Sequence, residues 1–191
     1  FHVVSSVCAV RPDGSVLMTR RAAVKDWALF WELPAGSALA GETSAEAAVR
    51  ELGEETGVHV GVADLTPVGR VTEASALFDL YVAHLSVDPS LELDPSEVCE
   101  SEWVRWDEVV RRCDAGEMAG PWVERLEQLG GRLATLVAGG WYGGADLRLA
   151  WRLIGLSGCR SALCPAWGSA RAPVGGPAAR SAMCCVVSSV W

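Results

Sequence analysis

The segment WELPAGSALAGETSAEAAVRELGEETGV, Trp31 to Val58, sets Glu51, Glu54 and Glu55 three and four residues apart. In an α-helix that spacing gathers side chains on one face, where like charges repel. Thr43 followed by Glu46 is a capping-box signature and Gly57 is a natural stop, so the pattern predicts a helix from Thr43 to Gly57. The three glutamates fall within about 100° of one another around its axis, beside a separate apolar stripe of Ala45, Val49 and Leu52. Ala47 falls within the acidic stripe and leaves it uncluttered. Arg50 stands four residues from both Glu46 and Glu54 and is expected to brace the face through those pairs. A bare acidic face is ordinarily only solvated. The capping, the small residue and the arginine together favour a cation site instead. Hard divalent ions, Mg²⁺ in particular, take carboxylate oxygens together with substrate phosphates, which would relieve the repulsion.

Upstream of this helix, FHVVSSVCAV (1–10) and SVLMTRR (15–21) are β-rich runs joined by the turn tripeptide Pro12-Asp13-Gly14, a predicted hairpin. Downstream, VHVGVADL (58–65), ALFDLYVAHLSV (76–87) and SEWVRW (101–106) have strand composition. PWVERLEQL (121–129) reads as a second helix, with Pro121 at its first turn and Gly130-Gly131 as its expected end. Strands, helix, strands and helix in that order predict an α+β domain.

The chain has 191 residues and a formal net charge of −8, with Lys25 as its one lysine. That excludes a nucleic-acid footprint over the whole surface. Seven cysteines without a C-x-x-C pair read as free thiols in a reducing compartment. No apolar run is long enough to span a membrane, so the expectation is a soluble, cytoplasmic protein. Because Phe1 already reads as strand, residues are expected to precede it. Composition shifts near Gly139: residues 1–138 hold 23 of the 24 acids and 11 of the 16 bases. The domain is therefore expected over 1–136. Residues 137–191 are left as an unassigned tail, a poorly ordered extension or an out-of-frame translation, since their arginines are scattered rather than clustered.

The acidic segment resembles the Nudix box, G-x5-E-x7-R-E-U-x-E-E-x-G-U with U aliphatic. Gly36, Glu42, Arg50, Glu51, Leu52, Glu54, Glu55, Gly57 and Val58 fill every specified position. The resemblance implies the Nudix α/β/α sandwich with a mixed sheet, and Mg²⁺- or Mn²⁺-dependent hydrolysis of a nucleoside diphosphate linked to another moiety. It further implies Glu51, Glu54 and Glu55 as metal ligands with one of them as base, Arg50 as their brace, the Ala35 carbonyl as a further ligand and Glu42 in support. A distal acid is expected from DPSEVCESEW, with Glu97 favoured over Glu100 and Glu102. Arg20, Arg21 and Lys25 are candidates for phosphate contact. Trp27, Phe30 and Trp31 are expected to pack in the core rather than stack on a base, Cys8 is expected in the core, and His2, His59 and His84 receive no role. The implied partner is a small-molecule nucleoside diphosphate derivative, without nucleic acid or membrane, and a homodimer is left open.

Two other readings compete. An isopentenyl diphosphate isomerase-like protein shares the basic, Trp-rich lead-in LMTRRAAVKDWALFWELPAG, but it needs a cysteine before the box, where this chain has Leu33-Pro34-Ala35-Gly36-Ser37. A non-catalytic nucleotide sensor would be expected to lose box acids, and none is lost here. The leaving groups are not legible: no clear coenzyme A motif stands upstream, and Pro67 comes too early for the proline associated with ADP-ribose hydrolases.

Overall fold

A computed structural model describes residues 2–139. Strands β1 (His2–Val10) and β2 (Val16–Arg21) form the expected hairpin, followed by short strands β3 (Trp31–Glu32) and β4 (Ala35–Ser37). Helix α1 spans Ser44–Thr56; β5 (Leu65–Thr72), β6 (Ala76–His84) and β7 (Val98–Val104) follow, then helices α2 (Trp106–Asp114) and α3 (Pro121–Val137). Among the described residues the seven strands make one mixed sheet. β1 runs parallel to β6 along its whole length, from His2 opposite Ala76 to Val10 opposite His84. On its other edge β1 meets β2 at Val10 and β4 at Val4–Ser6, while β2 is flanked by β3 and β7. The tip of the β1–β2 hairpin is closed by Asp13, which accepts from both the amide and the hydroxyl of Ser15.

Alternation along the central strands builds two cores. Val7, Ala9 and Leu17 face Ala48 and Leu52 of α1, whereas Cys8, Val10, Val16 and Met18 face the other layer with Val109, Trp122, Leu126 and Leu133. Helix, sheet and helices are thus stacked as the α/β/α sandwich. Cys8 is buried as expected, which pushes its thiol up to about 12.

The fold departs from the sequence expectations at four places. Residues 58–61 form no strand, and Val62–Asp64 is a single 3₁₀ turn; the strand begins only at Leu65. β5 carries Pro67 and Gly69, both poor strand residues, and accommodates them at a register shift on the sheet edge. α2 begins at Trp106, inside the stretch whose composition predicts strand. α3 passes through Gly130 and Gly131 to Val137, because Leu133 and Val137 continue its buried stripe. Their burial, at about 1.5–3 kcal/mol each, outweighs the roughly 1 kcal/mol that each interior glycine costs. The expectations for residues 140–191 lie outside the described residues. Among the described residues no helix is long and apolar enough to cross a membrane.

Candidate active site

Local sequence fixes both ends of α1. Thr43 is the N-cap: its side chain accepts from the Glu46 amide while the Glu46 carboxylate accepts from Thr43, completing the capping box. Gly57 closes the helix at φ 73°, a left-handed conformation suited to glycine, and the Glu92 backbone is packed against the place where a Cβ would stand. The buried face differs from the wheel expectation. Ala47, Ala48, Leu52, Glu55 and Thr56 are turned inward, and Ala45 and Val49 are only half-buried. The alanines let the helix lie close to the sheet, so the acidic stripe is drawn partly under β4 and Glu55 is 2 % exposed.

Arg50 is the centre of this layer. Its Nε and Nη2 donate to the two oxygens of Glu42 at 2.8 and 3.0 Å, its Nη1 to Glu51 at 2.9 Å and Glu54 at 2.8 Å, and Nη2 also to the Ser37 carbonyl at 3.0 Å. The expected Glu46–Arg50 pair is not formed, because Glu46 is used by the cap and Glu42 takes its place. These bonds, with the Leu39 amide, hold the Glu42 carboxyl down at about 2. Across from Arg50, the Glu51 carboxylate lies against Gly36 so closely that a Cβ there would land on it. The glycine of the box is thereby explained sterically.

Glu55 accepts from the Ala35 amide at 3.3 Å. Burial first, and then the neighbouring carboxylates of Glu32 and Glu51, push it up to about 8 against the opposing pull of Lys25. Glu32, at 5 % exposure, is also raised by burial, although Arg21 donates to it at 2.7 Å.

Glu32, Glu51, Glu54 and Glu55 line one cleft of about 850 Å³, whereas Arg50 and Glu42 stand behind its wall and do not line it. Of the expected residues, Arg21, Lys25, Ala35, Glu51, Glu54, Glu55 and Glu97 line it. Arg20 does not: it donates to Glu100, its cross-strand partner, and to the Leu29 carbonyl, both at 2.9 Å. Of the distal acids only Glu97 reaches the cleft, where it is ion-paired with Lys25. Glu100 is bound to Arg20 and Glu102 to Arg112. Trp31 is core, with the Arg112 guanidinium 4.1 Å from its ring centre, and Phe30 is partly buried against the same core, but Trp27 is 51 % exposed and lines the cleft.

Sequence reasoning missed Glu32, Asp94 and Arg125, which also line it. Asp94 is carried there by backbone bonds from the Glu92 amide to the Thr56 carbonyl at 2.9 Å and from the Asp94 amide to the Glu55 carbonyl at 3.2 Å. Arg125 comes from α3, clamped by Glu73 at 2.6 and 3.1 Å over the Phe78 ring. No local pattern announces either residue. The tandem basic pair before the box and the acid of WELPAG were the only signals pointing to the Arg21–Glu32 contact.

The wall chemistry is lopsided. Asp26, Glu32, Glu51, Glu54, Glu55, Asp94 and Glu97 face only Arg21, Lys25 and Arg125 as permanent cations. Among the described residues no three acidic, histidine or cysteine side chains converge tightly enough to hold a metal ion as they stand. Arg50 draws Glu51 and Glu54 to itself, and Glu55 is turned toward Ala35. The donor set nevertheless fits a hard divalent cation: carboxylate oxygens of one helix beside the Ala35 backbone, with a surplus of negative charge.

A model of the NUDIX domain matches residues 1–126. The chain is 32 % identical over 119 residues to an uncharacterised Nudix hydrolase of Listeria monocytogenes, covering 61 % of this chain and 70 % of that one. A 65-residue match at 39 % identity, 34 % of this chain and 40 % of the other, joins it to a protein named RNA pyrophosphohydrolase from Sphingopyxis alaskensis. A crystal structure from Deinococcus radiodurans shares the fold at a TM-score of 0.56 and 23 % identity, over 67 % of this chain and 82 % of that one. With its box complete from Gly36 in β4 to Val58 just beyond α1, and the surrounding sandwich in place, the chain belongs to the Nudix hydrolase family.

Proposed function

We propose that the protein is a Mg²⁺- or Mn²⁺-dependent diphosphohydrolase that cleaves a nucleoside diphosphate linked to another moiety. The observation that carries this reading is the gathering of Glu51, Glu54 and Glu55 on one wall of a cleft that also presents Arg21, Lys25 and Arg125. The name of the Sphingopyxis relative, a pyrophosphohydrolase, points to the same class of bond. Phosphoryl transfer needs positioning and charge neutralisation more than covalent help. Bound divalent ions would supply charge neutralisation at the diphosphate and an activated water. Glu51, Glu54 and Glu55 would hold them with the Ala35 carbonyl, and Glu97 would contribute once released from Lys25. Lys25, Arg21 and Arg125 would meet phosphate oxygens. Arg50 keeps the Glu51 and Glu54 carboxylates aimed, and one of the three box glutamates takes the proton from water.

Among the described residues no cysteine lines the cleft, which leaves the isomerase reading without its acid. The test is turnover of nucleotide sugars, dinucleoside polyphosphates and (d)NTPs with Mg²⁺, in the wild type and in Glu54→Gln. Glu54 is 59 % exposed at its side chain, so the variant should fold normally. Its kcat should nevertheless fall at least about 10²-fold, as when other transition-state stabilisers are lost. An unchanged kcat at saturating Mg²⁺ would remove Glu54 from the metal set.

A further inference from the structure

The loop between β2 and β3 concentrates backbone strain at the mouth of the cleft. Trp27 has φ 55° and Leu29 φ 65°, the only non-glycine residues with positive φ among those described. Bulky side chains adopt this conformation at an energetic cost, and such strain persists where its surroundings enforce it. Here the enforcement is visible. Arg20 Nε donates to the Leu29 carbonyl at 2.9 Å, Arg21 Nε to the Asp26 carbonyl at 2.6 Å, and the Phe30 amide to the Trp27 carbonyl at 3.2 Å. Lys25 is paired with Glu97, and the Ala22 amide donates to the Glu97 carbonyl at 2.9 Å, tying the loop to the strand beyond.

The result is a fixed indole. Its six-membered ring rests on Gly120, where a Cβ would collide with it, and Phe30 meets it edge-on at 5.7 Å between centroids. Half of the residue stays open, and it lines the cleft beside Arg21, Lys25 and Asp26. The indole is not among the side chains of the buried core that Trp31 and Trp122 fill. It does present a rigid π surface next to the cations that phosphate would need.

We infer that Trp27 is a stacking platform for the nucleobase of the substrate, seated on Gly120. This rests on the diphosphohydrolase reading for the phosphate end of the ligand, while the platform itself can be tested without hydrolysis. Base stacking on an aromatic ring tolerates every base, so the platform selects nucleosides over base-free diphosphates without choosing among bases.

The experiment pairs saturation-transfer NMR of AMP, with ribose 5-phosphate as the base-free control, with kinetics of Trp27→Ala, Trp27→Phe and Gly120→Ala. In the wild type the adenine protons of AMP should receive the strongest saturation, and ribose 5-phosphate little. Trp27→Ala should abolish the adenine signal and raise KM for nucleotide substrates about tenfold, with kcat within about threefold. Trp27→Phe should restore most of the affinity, and Gly120→Ala, which displaces the ring without removing it, should mimic Trp27→Ala. Adenine saturation unchanged in Trp27→Ala overturns the inference even if hydrolysis proceeds. A change confined to self-association also overturns it, and would assign Trp27 with exposed Val24 and Leu29 to an interface. Adenine saturation that depends on Trp27 without turnover of any diphosphate keeps the platform and removes the hydrolase reading.

Discussion

Replacing Gly36 by alanine asks whether Glu51 must lie where it does. Gly36 sits in extended strand β4 with no positive φ, so alanine is unstrained there and should itself contribute about 0.5–1 kcal/mol relative to glycine. The new methyl, however, would occupy the place of the Glu51 carboxyl group, which must move by more than about 1 Å to restore ordinary contact. The move breaks the Arg50–Glu51 hydrogen bond, a charge-assisted contact of about 1.5–3 kcal/mol. Arg50 keeps Glu42, Glu54 and the Ser37 carbonyl. The net cost to stability is therefore about 1 kcal/mol, a drop of a few degrees in Tm. Activity should suffer far more, because an ångström of misplacement at a reacting centre costs about 10² in rate. Thermal melts and steady-state kinetics on the same preparation separate the two effects. A Gly36→Ala enzyme with wild-type kcat would refute the argument that the box glycine exists to seat Glu51.

Arg50→Ala should be the more damaging change to stability, since it strands Glu42, Glu51 and Glu54 together. These partners are partly to well exposed, so the loss falls short of that of a fully buried pair, and we expect a drop of several degrees in Tm. A shift in Tm below about 2 °C would contradict this. Acid should loosen the fold through Glu42 and Glu108, each held down at about 2, the first chiefly by Arg50 and the second by Arg111 and Arg112. Because their folded values lie below the unfolded carboxyl range, their stabilisation is present above about pH 4.5 and is lost as pH falls toward 2. Urea midpoints between pH 6 and 2 should fall accordingly. Glu108→Gln should flatten that fall, and an unaltered slope would exclude Glu108 as a source.

The features of this site that were legible in the sequence are those fixed within a few residues. Thr43, Glu46 and Gly57 declare the ends of α1 through caps that any helix would use, and the three-and-four spacing of the glutamates follows from helical geometry. The direction in which that helix is rolled was not legible, because it depends on how closely Ala47 and Ala48 let it approach β1. Glu42 looked remote from Arg50 in sequence, yet it outcompetes Glu46, which the capping box had already claimed. Asp94 and Arg125 reach the cleft only through pairings that span tens of residues, and the Gly130-Gly131 stop failed because burial further along α3 overrode local propensity. Residue type alone places Trp27 in the core. Its exposure follows from the course of the β2–β3 loop, which the arginine side chains dictate.

Turnover in H₂¹⁸O shows whether water attacks phosphorus in this cleft. With Mg²⁺ and a substrate that the enzyme demonstrably consumes, mass spectrometry should find the label in a phosphate-containing product, and Glu54→Gln should slow its appearance in step with kcat. Turnover that leaves every phosphate product unlabelled would contradict the account, complete box notwithstanding.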